Sequence, residues 1–173
     1  MAGPAWYALR TRARSEKKAA RILAARGIQS YCPVIRKERR WADRTRTVRF
    51  PMFPGYVFAR FPPGRLLDVL QASGVVGVVR TGGTPTAVRP DELEAVRLLE
   101  RGVAEAGGEP RLEESLKPGD PVEVASGPFA GMRGSLVRRR GRSRVQVTLT
   151  AIGQAVSVVL PGEILRPLPE RPA

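Results

Sequence analysis

The chain of 173 residues contains no histidine, no asparagine and a single cysteine, Cys32. One cysteine cannot form a disulfide within the chain, which fits a reducing compartment, and we expect a cytoplasmic protein. Without histidine, Ser-His-Asp triads, imidazole acid–base catalysis and Cys/His zinc sites are excluded. No apolar run reaches the roughly 18 residues that a membrane helix needs, and no secretory signal is visible. We therefore expect no membrane association and no bound metal.

Nucleotide chemistry is also not favoured. Glycines cluster at 74–77 and 82–83, but no Gly-Lys-Ser/Thr or GxGxxG pattern accompanies them, so we interpret them as turn glycines. The acidic pair Asp91 and Glu92 lies at a predicted helix start, where capping explains it better than catalysis. We expect a protein that is not an enzyme and has no cofactor.

Positive charge dominates what is present, and it is unevenly distributed. The sequence has 30 Lys plus Arg against 16 Asp plus Glu, a net charge of +14. Residues 1–50 hold 14 of the basic residues and three of the acidic ones, whereas residues 51–115 are slightly acidic. Codon bias explains why arginine outnumbers lysine but does not explain the clustering. The cluster predicts a surface that faces nucleic acid, with an ordinary solvated surface as the alternative.

The pattern along the chain predicts an α+β region followed by a small β-domain. Trp6 to Arg10 alternates as a strand, and Ser15 and Gly27 mark the ends of a helix. Further strands are predicted at 28–39, 56–61 and 75–79, a basic hairpin tip near 44–46, and helices after Pro62 and from Pro90 to Gly102. Residues 103–114 have no apolar periodicity and are interpreted as a linker. Short β-branched runs from 116 onward predict a barrel.

Two segments carry more specific information. In residues 50–58 two prolines and a glycine force a corner between strands, with four aromatics around it. A buried corner is one interpretation, and an exposed aromatic patch that binds a partner is the other. In residues 127–134 glycines permit tight turns that we expect to lift Phe129 and Met132 out of the barrel.

These segments resemble the NusG family of transcription elongation factors, including its RfaH-like paralogues. The family's first domain, NGN, starts with a Trp-Tyr strand, here Trp6-Tyr7, and carries a Phe-Pro-Gly-Tyr corner, here Phe53 to Tyr56. Its second domain, KOW, has a Gly-Pro-Phe-x-Gly-x-x-Gly-like turn, here residues 127–134. The resemblance covers about residues 5–168. It implies an NGN domain at 5–102 with an antiparallel sheet flanked by helices, a flexible linker at 103–114, and a KOW domain at 115–168 that is a small SH3-like β-barrel.

The resemblance also implies a monomeric transcription elongation and antitermination factor. Its NGN domain would bind the clamp of RNA polymerase and suppress pausing or termination, by disfavouring the opened, paused enzyme. The implied polymerase pocket consists of Trp6, Tyr7, Phe53, Pro54, Tyr56 and Phe58. A second contact, to the polymerase gate loop, falls on Arg65, Leu66, Leu67 and Asp68, which lack the threonines of RfaH-like proteins.

The charge cluster fits a further contact that the resemblance implies, with the non-template single-stranded DNA. The basic residues near the first strand and helix are Arg10, Arg12, Arg14, Lys17, Lys18 and Arg21. Single-strand sites combine such cations with stacking aromatics. Trp41 is the candidate stacking residue, and ordinary packing under the hairpin is its alternative.

The KOW domain of the family recruits a small-subunit ribosomal protein or the termination factor Rho. The matching positions are Phe129, Met132 and Ile152. The basic run at 138–144 indicates an added nucleic-acid contact or a solvated hairpin tip. A different hypothesis is a KOW-bearing RNA-binding or ribosome-associated protein that does not bind polymerase. The Trp6-Tyr7 strand and the corner at 53–58 favour the polymerase hypothesis, because RNA binding alone does not require an apolar pocket.

Overall fold

The computed structural model of the protein describes residues 3–113, 119–139 and 141–169. The chain forms two compact units. The first contains the described residues up to Pro90 together with Thr150–Ile152, and the second contains those of Asp91–Leu149 and from Gly153 onward. Within the described ranges, no helix has the length and apolar character needed to cross a membrane.

The first unit is an antiparallel α+β fold. Its elements are β1 (Ala5–Thr11), α1 (Glu16–Ala25), β2 (Gln29–Tyr31), β3 (Val34–Trp41), β4 (Arg44–Pro51), β5 (Tyr56–Phe61), α2 (Leu66–Leu70), β6 (Val75–Val78), β7 (Arg80–Thr81) and β8 (Thr84–Pro85). The main sheet has the order β2-β5-β1-β6, and β3 pairs with β4 and β7 with β8 in separate two-stranded sheets.

Local signals in the sequence explain the first elements. The predicted strand at Trp6 to Arg10 is confirmed as β1, and the helix between Ser15 and Gly27 is confirmed as α1. Gly27 ends that helix with φ 75°, a conformation that glycine adopts without strain. The prediction of a single strand at 28–39 is wrong, because Cys32 and Pro33 separate two strands, β2 and β3. Proline cannot donate to a sheet ladder, so β2 and β3 belong to different sheets.

Helices α1 and α2 cover one face of the main sheet. Leu9, Val57 and Phe61 from the sheet pack with Leu23 of α1 and Val69 of α2 in one buried cluster. Burying five such side chains stabilises the layer by about 1.5–3 kcal/mol each. Ala8 and Phe58 point to the opposite face of the sheet and are also fully buried.

The second unit combines one long helix with a β-domain. Its elements are α3 (Pro90–Ala106, which begins at the unit boundary), β9 (Arg111–Glu113), β10 (Asp120–Val124), β11 (Arg133–Arg139), β12 (Arg142–Leu149), β13 (Gln154–Val159) and β14 (Leu165–Pro167). The sheet order is β14-β10-β11-β12-β13-β9, antiparallel throughout. The predicted α+β class, a helix-flanked antiparallel sheet followed by a small β-domain, is confirmed.

The interpretation of 103–114 as a segment without regular structure is wrong at both ends. Helix α3 continues past Gly102 to Ala106, and Val103 is buried. Arg111–Glu113 is a strand that pairs with β13. Only 107–110 within this segment is irregular among the described residues, and residue 114 lies outside them.

A buried polar network fixes β9 to the sheet. The Ser157 hydroxyl donates a hydrogen bond to Glu113 Oε1 at 2.8 Å, and Arg144 Nε donates one to Ser157 Oγ at 3.0 Å. All three side chains are buried. Buried polar groups are costly when a partner is lost, so the network holds residue 113 in place.

Replacing Glu113 by alanine is therefore expected to lower the free energy of unfolding by about 1–3 kcal/mol, because Ser157 loses its acceptor and Arg144 loses its buried environment of opposite charge. Glu109→Ala is the matched control, since Glu109 is an exposed carboxylate in the same segment. Urea denaturation of both variants measures the difference. Equal stabilities would show that β9 is not anchored by this network.

Candidate polymerase and nucleic-acid interfaces

The face of the main sheet opposite α1 and α2 collects aromatic side chains. In an antiparallel pair, residues directly opposite each other point to the same face. Ala8 is opposite Phe58, Arg10 is opposite Tyr56, and Trp6 is opposite Arg60. Their neighbours Leu9 and Val57 are the ones that pack against the helices, so these pairs lie on the other face.

Strand β2 extends this face. Tyr31 is opposite Phe58 and Gln29 is opposite Arg60. Trp6, Tyr31 and Tyr56 are half-buried, and Phe58 is fully buried beneath them. We call Trp6, Tyr31, Tyr56 and Phe58 the aromatic face. Tyr31 and Arg60 were not among the sequence-derived candidates, because the pairing of β2 with β5 leaves no local signal.

The corner at 50–58 is mostly buried. Phe53 is only 1% exposed and meets Phe58 edge-on, with ring centroids 6.1 Å apart. Met52 is buried as well, Pro54 is exposed, and Gly55 turns the chain with φ 86°. Of the two interpretations of the corner, the buried one therefore holds for Phe53. Its ring packs against that of Phe58, and Pro54 and Tyr56 are the accessible corner residues.

Tyr7 lies on the opposite face from Trp6. Its ring packs on Phe61 at a centroid distance of 4.8 Å, next to the core shared with α1 and α2. The alternation of strand side chains places adjacent residues on different faces. The structure therefore places Trp6, Tyr56 and Phe58 of the six implied pocket residues on one face, whereas Phe53 packs against Phe58 and Pro54 is exposed.

The residues implied in the gate-loop contact have mixed roles. Arg65 and Asp68 form an ion pair of 3.1 Å. Arg65 also donates to the carbonyl of Arg26, and Arg26 donates to the carbonyl of Asp68, so these charges tie α2 to the end of α1. Leu66 packs against the core, whereas Leu67 is 72% exposed. Leu67 is thus the accessible apolar contact in this set.

The basic N-terminal residues do not form one face. Arg10 lies on the aromatic face, opposite Tyr56. Lys18 and Arg21 are exposed on α1, which covers the other face of the sheet. Arg12 and Arg14 are exposed in the turn between β1 and α1, and Arg14 adopts a left-handed conformation with φ 60°. Lys17 Nζ donates to the carbonyl of Arg49 at 2.6 Å, so it also connects α1 to β4.

Trp41 lies at the end of β3, directly opposite Arg44, and is 57% exposed. The alternative that it packs under the hairpin is therefore wrong. It lies six residues along the strand from the buried Ile35, or roughly 20 Å. This separates it from the cations of α1, so Trp41 belongs to the hairpin rather than to the N-terminal cations.

The predicted partner residues of the second unit are buried. Met132 is inaccessible and Phe129 is 4% exposed, so the expectation that both are lifted out of the barrel is wrong. The ring of Phe129 lies against Gly102 of α3, and a Cβ at residue 102 would lie 2.7 Å from Phe129 Cγ. Glycine is required for this approach. Ile152 is half-buried and groups with the first unit.

The basic run at 138–144 is also divided. Arg138 and Arg142 are exposed, but Arg144 is buried and bonded to Ser157. Residue 140 and the side chain of Arg139 lie outside the described part. Among the described side chains of the run, Arg138 and Arg142 are thus the exposed cations available for the nucleic-acid contact that the sequence suggested.

Comparison with known proteins supports the resemblance. The family model described as "Transcription termination factor nusG" matches residues 4–97. The NusG transcription termination/antitermination protein of Thermus thermophilus is 30% identical, over 90% of this chain and 94% of its own. That of Deinococcus radiodurans is 33% identical, over 65% of this chain and 66% of its own.

A solved structure entitled "Domain interaction in Thermotoga maritima NusG" matches with a TM-score of 0.52 and 25% identity, covering 94% of this chain and 96% of that one. Its fold agreement extends over both units, and the family match spans more than half of the sequence. This chain therefore belongs to the NusG family of transcription termination/antitermination factors.

Proposed function

We propose that the chain binds the clamp of RNA polymerase through the aromatic face of its first unit and suppresses pausing or termination. The observation that carries this proposal is the face of the main sheet opposite α1 and α2, where Trp6, Tyr31 and Tyr56 are partly accessible beside the buried Phe58. Partly accessible aromatics over a packed base are the usual anchors of protein interfaces. Arg10 and Arg60 border them and can pair with acidic groups of a partner.

A second polymerase contact is proposed at Leu67. Its side chain is exposed on α2, whereas Arg65 and Asp68 beside it are held by their ion pair and by Arg26. A fixed turn that presents one apolar side chain suits a small contact such as the gate loop. Two contacts on one rigid unit would bridge the polymerase cleft and disfavour its open state, which is a population shift.

Single-stranded non-template DNA is the proposed partner of Arg12, Arg14, Lys18 and Arg21. Lys18 and Arg21 are exposed on α1, which covers the face of the sheet away from the aromatic face, and Arg12 and Arg14 are exposed in the turn before α1. One unit can therefore contact polymerase and DNA at the same time. Arg10 is instead proposed to contact polymerase rather than DNA, because it is opposite Tyr56 on the aromatic face.

The second unit is proposed to recruit a small-subunit ribosomal protein or Rho through the turn at Phe129. Because Gly102 lies against this ring, a partner that uses Phe129 must displace α3. Recruitment of that partner then depends on the free energy with which α3 packs on the Phe129 turn. Met132 supports the turn from within the core, since it is fully buried.

Capture of RNA polymerase tests the central proposal. The tagged chain is incubated with polymerase after nuclease treatment, and pausing is followed in transcription reactions with purified enzyme. We expect nuclease-resistant capture and shorter pauses. Capture of ribosomes or RNA alone, with no effect on transcription, would instead identify an RNA-binding or ribosome-associated protein.

Reversal of charge on α1 tests the DNA contact. The variant Lys18→Glu/Arg21→Glu is expected to weaken recruitment to elongation complexes with exposed non-template DNA. Each lost phosphate contact lowers the salt slope by roughly 0.7 for single strands. Binding to isolated clamp helices stays unchanged, because α1 covers the other face. The pair Arg101→Glu/Arg111→Glu, two exposed cations on α3 and β9, is the control for net charge. Loss of clamp binding with normal DNA-dependent recruitment would mean that the two faces are assigned to the wrong partners.

A further inference from the structure

The β3–β4 hairpin is an uncovered ribbon. Residues 36–49, here called the basic ribbon, are all exposed except Val48. The two strands pair only with each other among the described residues, so no third strand extends the ribbon at either edge. Ile35 and Phe50 are opposite each other at its base, where Met52 also donates its N–H to the carbonyl of Pro33.

Cations occupy both faces of the ribbon. In the strand register, odd-numbered residues of β3 are opposite even-numbered residues of β4, so these two sets share one face of the ribbon. One face therefore carries Lys37, Arg39, Arg44 and Arg46 together with Trp41, and the other carries Arg36, Arg40 and Arg49. The acidic residues of the ribbon are Glu38 and Asp43.

Like charges lie directly across from each other in this ribbon. Arg36 is opposite Arg49, and Arg39 is opposite Arg46. Such pairs destabilise a sheet, so the stability of the hairpin does not explain them. A polyanion placed against both strands would remove the repulsion. The arrangement therefore points to a ligand that brings negative charge to both faces.

The two-sided charge distinguishes between nucleic acids. A single-strand site places cations and stacking rings along one groove. The major groove of B-form DNA is about 12 Å wide, admits a two-stranded β-ribbon and has phosphates on both walls. The major groove of A-form RNA is too deep and narrow for side chains to read. We propose that the basic ribbon binds double-stranded DNA by entering the major groove.

Contacts at the base hold the ribbon in position. Lys37 and Arg39 lie over the ring of Phe50, at 5.9 and 5.1 Å from its centroid. Lys17 of α1 bonds to the carbonyl of Arg49. The bond from Lys17 thus ties the ribbon to α1, and Trp41 at its end presents a ring for apolar contact with base edges.

Binding to short labelled nucleic acids tests the proposal. The full chain is titrated by fluorescence anisotropy against a 20-base-pair DNA duplex, its single strand and an RNA duplex of the same sequence, at several salt concentrations. The variant Arg39→Gln/Arg46→Gln removes one opposed pair without adding new charge. If both arginines contact phosphates, the salt slope falls by about 1.8, and affinity for duplex DNA falls roughly 60-fold at 0.1 M salt.

The control Arg101→Gln/Arg111→Gln changes net charge equally and is expected to bind duplex DNA nearly as well as the wild type. Thermal melting checks that the ribbon variant stays folded, because Arg39 also lies over the ring of Phe50. Tighter binding to single-stranded DNA or to the RNA duplex would overturn the proposal, as would equal losses in both variants. The assay contains no polymerase, so its outcome is independent of the clamp contact.

Discussion

Tyr56→Ala is expected to weaken polymerase binding at least 30-fold, because an anchoring aromatic at an interface contributes about 2 kcal/mol or more. Tyr56 lies on the aromatic face, half-buried, opposite Arg10. Its ring is accessible enough to touch a partner and is held in place by its strand. Titration of labelled polymerase with wild type and variant gives the two dissociation constants.

Three comparisons make that result specific. Tyr56→Phe keeps the ring and is expected to retain most of the affinity. Val76→Ala truncates an exposed apolar side chain on β6 of the same unit and should leave binding intact. Thermal melting shows whether Tyr56→Ala stays folded. A folded Tyr56→Ala variant that binds polymerase like the wild type would remove the aromatic face from the interface.

Elements with strong local signals could be predicted from the sequence. Ser15 and Gly27 enclose an apolar stripe, and α1 begins and ends between them. The β-branched runs at Val145 and Val156 form β12 and β13, where packing on a pleated surface favours such residues. In these cases neighbouring residues alone determine the element.

Elements set by distant contacts could not be predicted. Gly102 is a locally reasonable helix end, yet α3 continues through it to Ala106, and the ring of Phe129 occupies the space that a Cβ at residue 102 would need. Arg111–Glu113 looks like linker sequence, but Ser157 and Arg144 hold Glu113 from across the sheet. Both features depend on residues far away in the chain.

The sequence predicted an apolar, aromatic contact site but not which of its side chains are accessible. The aromatic corner pointed to an apolar contact, and the structure does place Tyr56 on an accessible face. The motif cannot tell which ring faces inward, since that follows from the register of β1 against β5. The same register separates Tyr7 from Trp6 and moves Arg10 beside Tyr56. Side-chain direction was thus the missing information.

Gly102→Ala is expected to destabilise the second unit, although the same change usually stabilises an interior helix position by about 1 kcal/mol. The new methyl group would overlap the ring of Phe129, and overpacking of this kind costs about 1–3 kcal/mol. The expected sign is therefore opposite to that of helix propensity. Ala104→Gly, at an exposed position of the same helix, is the control and should follow propensity alone.

A double-mutant cycle isolates the contact between Gly102 and Phe129. In a Phe129→Ala background the ring is gone, so Gly102→Ala should become stabilising by about 1 kcal/mol, as propensity requires. The reversal of sign between the two backgrounds, measured by urea denaturation, reports the packing of α3 on the turn. It also bears on recruitment, since a partner that uses Phe129 must first displace this helix. If Gly102→Ala stabilises the wild-type chain as well, the helix does not rest on Phe129 in solution, and the turn is open to a partner without displacement.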